Sequence, residues 1–204
     1  MSTVQPHLTF LQHLPRTQAA VAFALERHSG QRRQIDDAPF ILHTLEVASL
    51  LDRSGYPDSV VAAAVLHDVL EKTDAERPEV EARFGAEVAD LVAAVSDDPS
   101  IEDEEERKDR LREKVRGLGG NAAAVYAADK VSKVRELRML LARGLPRERA
   151  EVLIARNRRS LAMLDETCPE TDSSRCCDSS SRRWMTSRRA PRTGPTIPDA
   201  GEGR

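Results

Sequence analysis

Four residues combine metal-ligand chemistry with apolar surroundings. Asp68 follows His67 within VVAAAVLHDVL, where nearly every other residue is apolar. His43 lies in a similar segment, FILHTLEVASLL, and Asp129 directly follows AAAVYAA. An ionised carboxylate buried alone costs roughly several kcal/mol, so each Asp needs a positive partner. Ordinary partners exist for each residue taken singly: Lys133 one turn beyond Asp129, an arginine for Asp68, a backbone carbonyl for His43. Taken together, two imidazoles and two carboxylates on consecutive apolar segments suit one divalent first-row ion, Mn²⁺, Fe²⁺ or Zn²⁺. Four such ligands leave positions for water and substrate, as catalysis requires.

The elements that carry them are helical in pattern. Residues 17–27 form an amphipathic segment that stops at Ser29-Gly30, followed by the polar loop GQRRQIDDAP. Residues 40–51 are apolar around most of a helical circumference and stop at Ser54-Gly55. The spacing predicts a more apolar helix from residue 58 through His67 and Asp68 as far as EKTDAERP, then a new start at Pro78. Residues 84–95 predict another helix. EDEEERKDRLREKV reads as a solvated helix or a mobile connection, residues 122–141 as a long helix, and Pro146 as the opening of a last one ending near residue 164. Aromatic residues make up only 3% of the chain, so the core is expected to be aliphatic. The pattern predicts an all-α bundle of about six to eight helices.

A chain of 204 residues, 40% hydrophobic, holds one ordinary domain, placed here at 1–166. The net charge of -3 gives no global attraction to nucleic acid or anionic lipid. No apolar run is long enough for a membrane span and the N-terminus lacks a leader pattern, so a cytoplasmic protein acting on a small molecule is expected. Residues 167–204 change to Ser, Arg, Pro and Cys without apolar period and are expected to be a disordered tail. Two readings of it stand side by side, a natural low-complexity tail or a reading frame translated out of phase. Cys168, Cys176 and Cys177 fall there, read as free thiols.

The segments ILHTLEVA, AVLHDVLEKT and VYAADKVSKVREL, in the order H…HD…D, resemble the HD superfamily of metal-dependent phosphohydrolases. More narrowly, with HSGQRR before the first histidine and FGAEVADLVAAVS after the HD pair, the chain resembles the hydrolase domain of the RelA/SpoT alarmone enzymes and their small stand-alone relatives. The resemblance runs over about residues 21–164. It implies an HD-domain helical bundle, one Mn²⁺-like ion on His43, His67, Asp68 and Asp129, and removal of the 3′-pyrophosphate from (p)ppGpp. It also implies that Arg33, or Arg32 because the loop is one residue longer, packs against the nucleotide base.

Two departures stand out. HDVLEK replaces the usual HDxxED, keeping Glu71 but putting Lys72 in place of an acidic residue, and ADKVSK puts Lys133 in place of an asparagine near the sugar. Asp74, one turn after Glu71, is expected to supply the missing carboxylate if the helix continues. Glu71 is read as the base that takes a proton from water, and Lys72 and Lys133 as cations that offset phosphate charge. Three functions remain open: a (p)ppGpp hydrolase, a phosphohydrolase for another nucleotide or phosphomonoester, and a poorly active metal-containing nucleotide sensor. No synthetase-like segment follows, so hydrolysis without synthesis is expected.

Overall fold

The structure, a computed structural model, describes residues 9–167. After a 3-10 turn at Thr9–His13 come nine α-helices among the described residues: α1 (Pro15–Arg27), α2 (Ile41–Arg53), α3 (Asp58–Leu66), α4 (Val69–Lys72), α5 (Arg77–Phe84), α6 (Ala86–Val95), α7 (Glu104–Leu118), α8 (Gly120–Ala142) and α9 (Arg147–Thr167). The expected all-α bundle is what forms. Of the expected tail, Thr167 still belongs to α9, and residues 168–204 with the three cysteines lie outside the described residues.

Helix α3 is the axis of the bundle. Its Val, Ala and Leu side chains have no polar face, and every residue from Ser59 to Leu66 is buried, which is how a central helix reads. Helices α1, α2, α6 and α8 pack around it. The first residue of α3 also fixes its neighbour: the Asp58 carboxylate accepts the Arg16 and Thr17 N–H groups at 2.9 Å each and the Thr17 hydroxyl at 2.6 Å. These are amide groups that the first turn of α1 cannot satisfy itself, so one carboxylate caps a helix 41 residues away in sequence.

Two helices have one boundary that the apolar pattern does not predict. The run from residue 58 does not continue through the HD pair. It closes at Leu66, His67 and Asp68 form a turn, and only the four-residue α4 follows. Ala64, in the last turn of α3, has a carbonyl without an intrahelical partner, and His67 Nδ1 bonds it at 2.8 Å. Likewise the stretch 84–95 is divided at Gly85, whose φ of 88° separates α5 from α6. Counting α4 with α3 gives the eight helices that the pattern allowed.

Of the two readings of the charged segment, the helix is the one that forms, and it has a buried edge as well as a solvated face. Helix α7 is capped by Asp103, which accepts the Glu106 N–H at 2.7 Å, and it buries Leu111, Arg112 and Val115. Arg156 of α9 reaches back to Glu104 at 2.7 Å, tying the last helix to α7. Tyr126 of α8 and Ser160 of α9 share a buried hydroxyl pair at 2.9 Å. Among the described residues, no helix is long and apolar enough to cross a membrane.

Candidate metal centre and its pocket

His43 projects from the first turn of α2, His67 and Asp68 from the turn that ends α3, and Asp129 from the middle of α8, and all four are at most 5% exposed. Their ligand atoms converge. Asp129 Oδ1 lies 3.2 Å from His43 Nε2 and 3.6 Å from His67 Nε2. Asp68 Oδ2 lies 3.3 Å from His67 Nε2 and 3.8 Å from His43 Nε2. His43, His67 and Asp129 thus form a buried triad able to hold a divalent ion.

The donor set fits an ion on two counts. The Nδ1 atoms of both histidines are engaged outward, His43 with Ser132 Oγ at 3.1 Å and His67 with the Ala64 carbonyl. That leaves the Nε2 atoms for the centre. In addition, His67 Nε2 and Asp129 Oδ1 are buried with no hydrogen-bond partner, a costly arrangement unless a cation uses them.

Electrostatics bind the centre together. Burial alone would raise Asp68 and Asp129, but His67 with Lys133 and Lys72 for the first, and Lys130 with Lys133 for the second, hold both carboxyls well below the usual range. Burial would lower His67, yet Asp68 and Asp129 outweigh it and push the imidazole up to about 10. Lys130 behaves oppositely: burial exceeds the pull of Asp129 and brings its ammonium down to about 8. For Lys133, Asp129 and Asp68 override burial and raise it.

A pocket opens beside the triad, lined by His67, Asp68, Glu71, Asp129, Lys130 and Lys133, with Lys108 on its α7 side. Glu71 Oε1 accepts the Asp97 N–H at 2.6 Å. Lys133 and Lys130 both donate to Asp129 Oδ2 at 2.9 Å, and Lys72 donates to Asp68 Oδ2 at 2.6 Å. The lysines expected near phosphate, Lys72 and Lys133, are therefore both on carboxylates of the centre, and Lys133 does pair with Asp129 as its spacing suggested.

Other expected residues stand apart. Neither Arg32 nor Arg33 lines this pocket. Arg33 pairs with Asp36, Arg32 donates to the Asp37 carbonyl, and Arg32 borders a separate cleft of about 180 Å³ with His28, Gln31 and Phe40. Asp74 does not replace the missing carboxylate, because α4 stops at Lys72, Thr73 is extended, and Asp74 turns outward to Arg27 at 3.0 Å. The sequence reading missed Lys130, Lys108, Ser132 and Glu46. Ser132 carried a usable signal, three residues after Asp129 and so on the same helix face. Lys108 carried none, buried in a run of charges that looked uniformly solvated.

A helical bundle closed around a two-histidine, carboxylate-bearing centre defines a metal-dependent hydrolase. The HD-domain family model matches residues 20–153, and the chain belongs to that family, in its RelA/SpoT-related, metal-dependent phosphohydrolase branch. Over 132 residues it is 34% identical to the guanosine-3′,5′-bis(diphosphate) 3′-pyrophosphohydrolase MESH1 of Drosophila melanogaster, covering 63% of this chain and 73% of that one. It is 33% identical over 128 residues to the enzyme of the same activity name from Aquifex aeolicus, covering 62% of this chain but only 18% of that protein's length. A solved structure of a metazoan ortholog of SpoT, described as hydrolysing ppGpp, superposes with a TM-score of 0.68 at 28% identity, over 76% of this chain and 88% of that one.

Proposed function

We propose that the chain is a cytoplasmic hydrolase that removes the 3′-pyrophosphate of (p)ppGpp or a closely related nucleotide, with one Mn²⁺ on His43, His67, Asp68 and Asp129. The observation that carries the reading is the pair of buried, unpartnered ligand atoms, His67 Nε2 and Asp129 Oδ1, beside a pocket that Glu71 lines. The activity printed for the MESH1 relatives, which this chain covers over most of their length, supports the substrate. An ion held there supplies Lewis acidity, polarising a phosphoryl oxygen and making a water acidic near neutral pH. Glu71 is the base: the Asp97 N–H fixes its carboxylate through Oε1 and leaves Oε2 to take the proton of the attacking water. The new P–O bond forms as the bond from phosphorus to the ribose 3′-oxygen breaks, and that oxygen leaves with the proton that Glu71 accepted, relayed through solvent, which returns the carboxylate to its starting state. Lys133 and Lys130, each already one bond from Asp129, contribute positive charge beside the phosphates. Arg32 or Arg33 takes the base in this reading, after their loop releases Asp36 and the Asp37 carbonyl. A small nucleotide rather than nucleic acid fits the acidic balance of the chain.

The test is product analysis with Mn²⁺ over a panel of ppGpp, pppGpp, other nucleotides and simple phosphomonoesters. Pyrophosphate released from ppGpp and pppGpp in preference to the rest is expected. Preference for a monoester, or no turnover of any substrate by metal-loaded protein, overturns it.

A further inference from the structure

The three lysines of the centre differ in which carboxylate oxygen they take. Lys130 and Lys133 share Asp129 Oδ2, leaving Oδ1, the oxygen nearest the histidine pair, with no hydrogen bond. Lys72 instead donates at 2.6 Å to Asp68 Oδ2, and that same oxygen is the one 3.3 Å from His67 Nε2 and 3.8 Å from His43 Nε2. An ammonium and a metal ion held between the imidazoles therefore draw on one atom. Charge-assisted bonds of this length are strong, and two cations crowd each other at one oxygen.

Lys72 is tethered to this contest. It follows Asp68 by four residues across the single turn of α4, so it cannot diffuse away, and Gln31 Nε2 holds its carbonyl at 2.6 Å. From the same position it has a second partner: its Nζ lies 4.5 Å from the centroid of the Phe40 ring, which in turn packs on His43 at 5.6 Å. An aromatic face attracts a cation without offering it a formal charge, so an ammonium that gives up Asp68 keeps a partner there.

We propose that Lys72 is an intramolecular competitor of the metal. It acts as the counter-ion of Asp68, must yield Oδ2 for the ion to bind through that oxygen, and then rests over Phe40. This rests on the metal reading above and deepens it: Lys72 lowers the affinity of the centre for its ion. Lys133 sits on the oxygen of Asp129 turned away from the histidines and takes no oxygen that faces them.

The experiment is calorimetric titration of Mn²⁺ into chelator-treated full-length chain, comparing the wild type with Lys72→Met, Lys72→Gln and Lys133→Met, with circular dichroism to verify folding. Both Lys72 variants are expected to bind Mn²⁺ about tenfold more tightly, equivalent to ~1.4 kcal/mol, and Lys133→Met to tighten binding clearly less, because Lys133 reaches Asp68 through its charge alone and bonds the far oxygen of Asp129. Should Lys72→Met not fold, Lys72→Gln makes the same comparison. Unchanged or weaker binding by a folded Lys72 variant overturns the proposal and leaves the metal reading standing, and so does equal tightening by Lys133→Met, since only net charge would then matter. Absence of Mn²⁺ binding by the wild type and every variant overturns the metal reading itself.

Discussion

Ser132 Oγ lies 3.1 Å from His43 Nδ1 and donates its own proton to Glu46 Oε2 at 2.9 Å. A hydroxyl has one proton to give, so toward His43 it acts as acceptor, and the imidazole must carry its proton on Nδ1. Arg135 anchors the other end by donating to Glu46 Oε1 at 2.7 Å. The chain Arg135, Glu46, Ser132, His43 thereby sets a lone pair on Nε2, facing Asp129 and His67.

Ser132→Ala breaks this chain without touching the ligand atoms. Affinity for Mn²⁺ is expected to fall about 10–100-fold, the usual effect of removing an outer partner of a ligating histidine. Calorimetry on the folded variant checks it, and unchanged affinity means that Ser132 does not orient His43.

Glu71→Gln keeps size and the bond from the Asp97 N–H but cannot accept a proton. Metal content is expected to stay at the wild-type level, while turnover in the product assay falls by a factor on the order of 10²–10⁴. A full-rate variant removes Glu71 from the mechanism.

His67→Ala and Asp68→Ala should each abolish stoichiometric metal, and chelation should lower the Tm of the wild type, because ion binding contributes directly to stability. Elemental analysis and thermal melts with and without chelator decide this. A wild-type Tm indifferent to chelator, in protein that carries no ion as purified, counts against the centre.

The pH dependence of stability in chelator has a definite sign. His67, raised to about 10, keeps a proton that the unfolded chain loses near 6.5, so its contribution is complete below 6.5 and drains away as pH rises toward 10. Lys130, lowered to about 8, works the other way above that pH, because there the unfolded chain holds more protons. Tm is therefore expected to decline from pH 6.5 to 8 and then level off. The depressed Asp68 and Asp129 stabilise above their unfolded value of 3.8 and give that up in acid, where neutral, buried His28 adds to the loss. Scanning fluorimetry across this range, with His67→Asn as control, should show the 6.5–8 decline in the wild type alone.

Leu66→Ala tests the axis of the bundle. Leu66 is fully buried at the end of α3, immediately before the turn that carries His67 and Asp68. A loss of roughly 2–5 kcal/mol is expected in denaturant unfolding, as for other large-to-small changes in packed cores. A much smaller loss would mean that α3 can collapse around the missing methyls.

Helix content and the buried triad of His43, His67 and Asp129 were legible because each of these residues interrupts an otherwise apolar pattern, and burial of charge leaves few explanations. The turn at His67 was not legible, since VVAAAVLHDVL continues its apolar run across the break and only the bond from His67 to Ala64 reveals why the helix gives way. Lys108 and Lys130 escaped notice for the opposite reason. A lysine in a charged run, or next to an aspartate, looks solvated until the fold supplies its partner, here the Asp97 carboxylate for Lys108 and the Tyr126 ring, 4.4 Å from the Nζ, for Lys130. The reach of Arg32 and Arg33 depended on loop pairing with Asp36 and Asp37, which spacing alone does not encode.

The bond between His43 and Ser132 joins residues 89 apart in the chain. During synthesis, α1 to α6 are made before α8, and they already contain the axis helix and most of its neighbours. Such a nascent half can bury α3 yet lacks Asp129 and leaves His43 without its outer partner. Capture of the ion is then a late event that waits for α8 to dock, so a truncated translation product would accumulate without metal, and metal content per chain becomes a measure of how many molecules have completed folding.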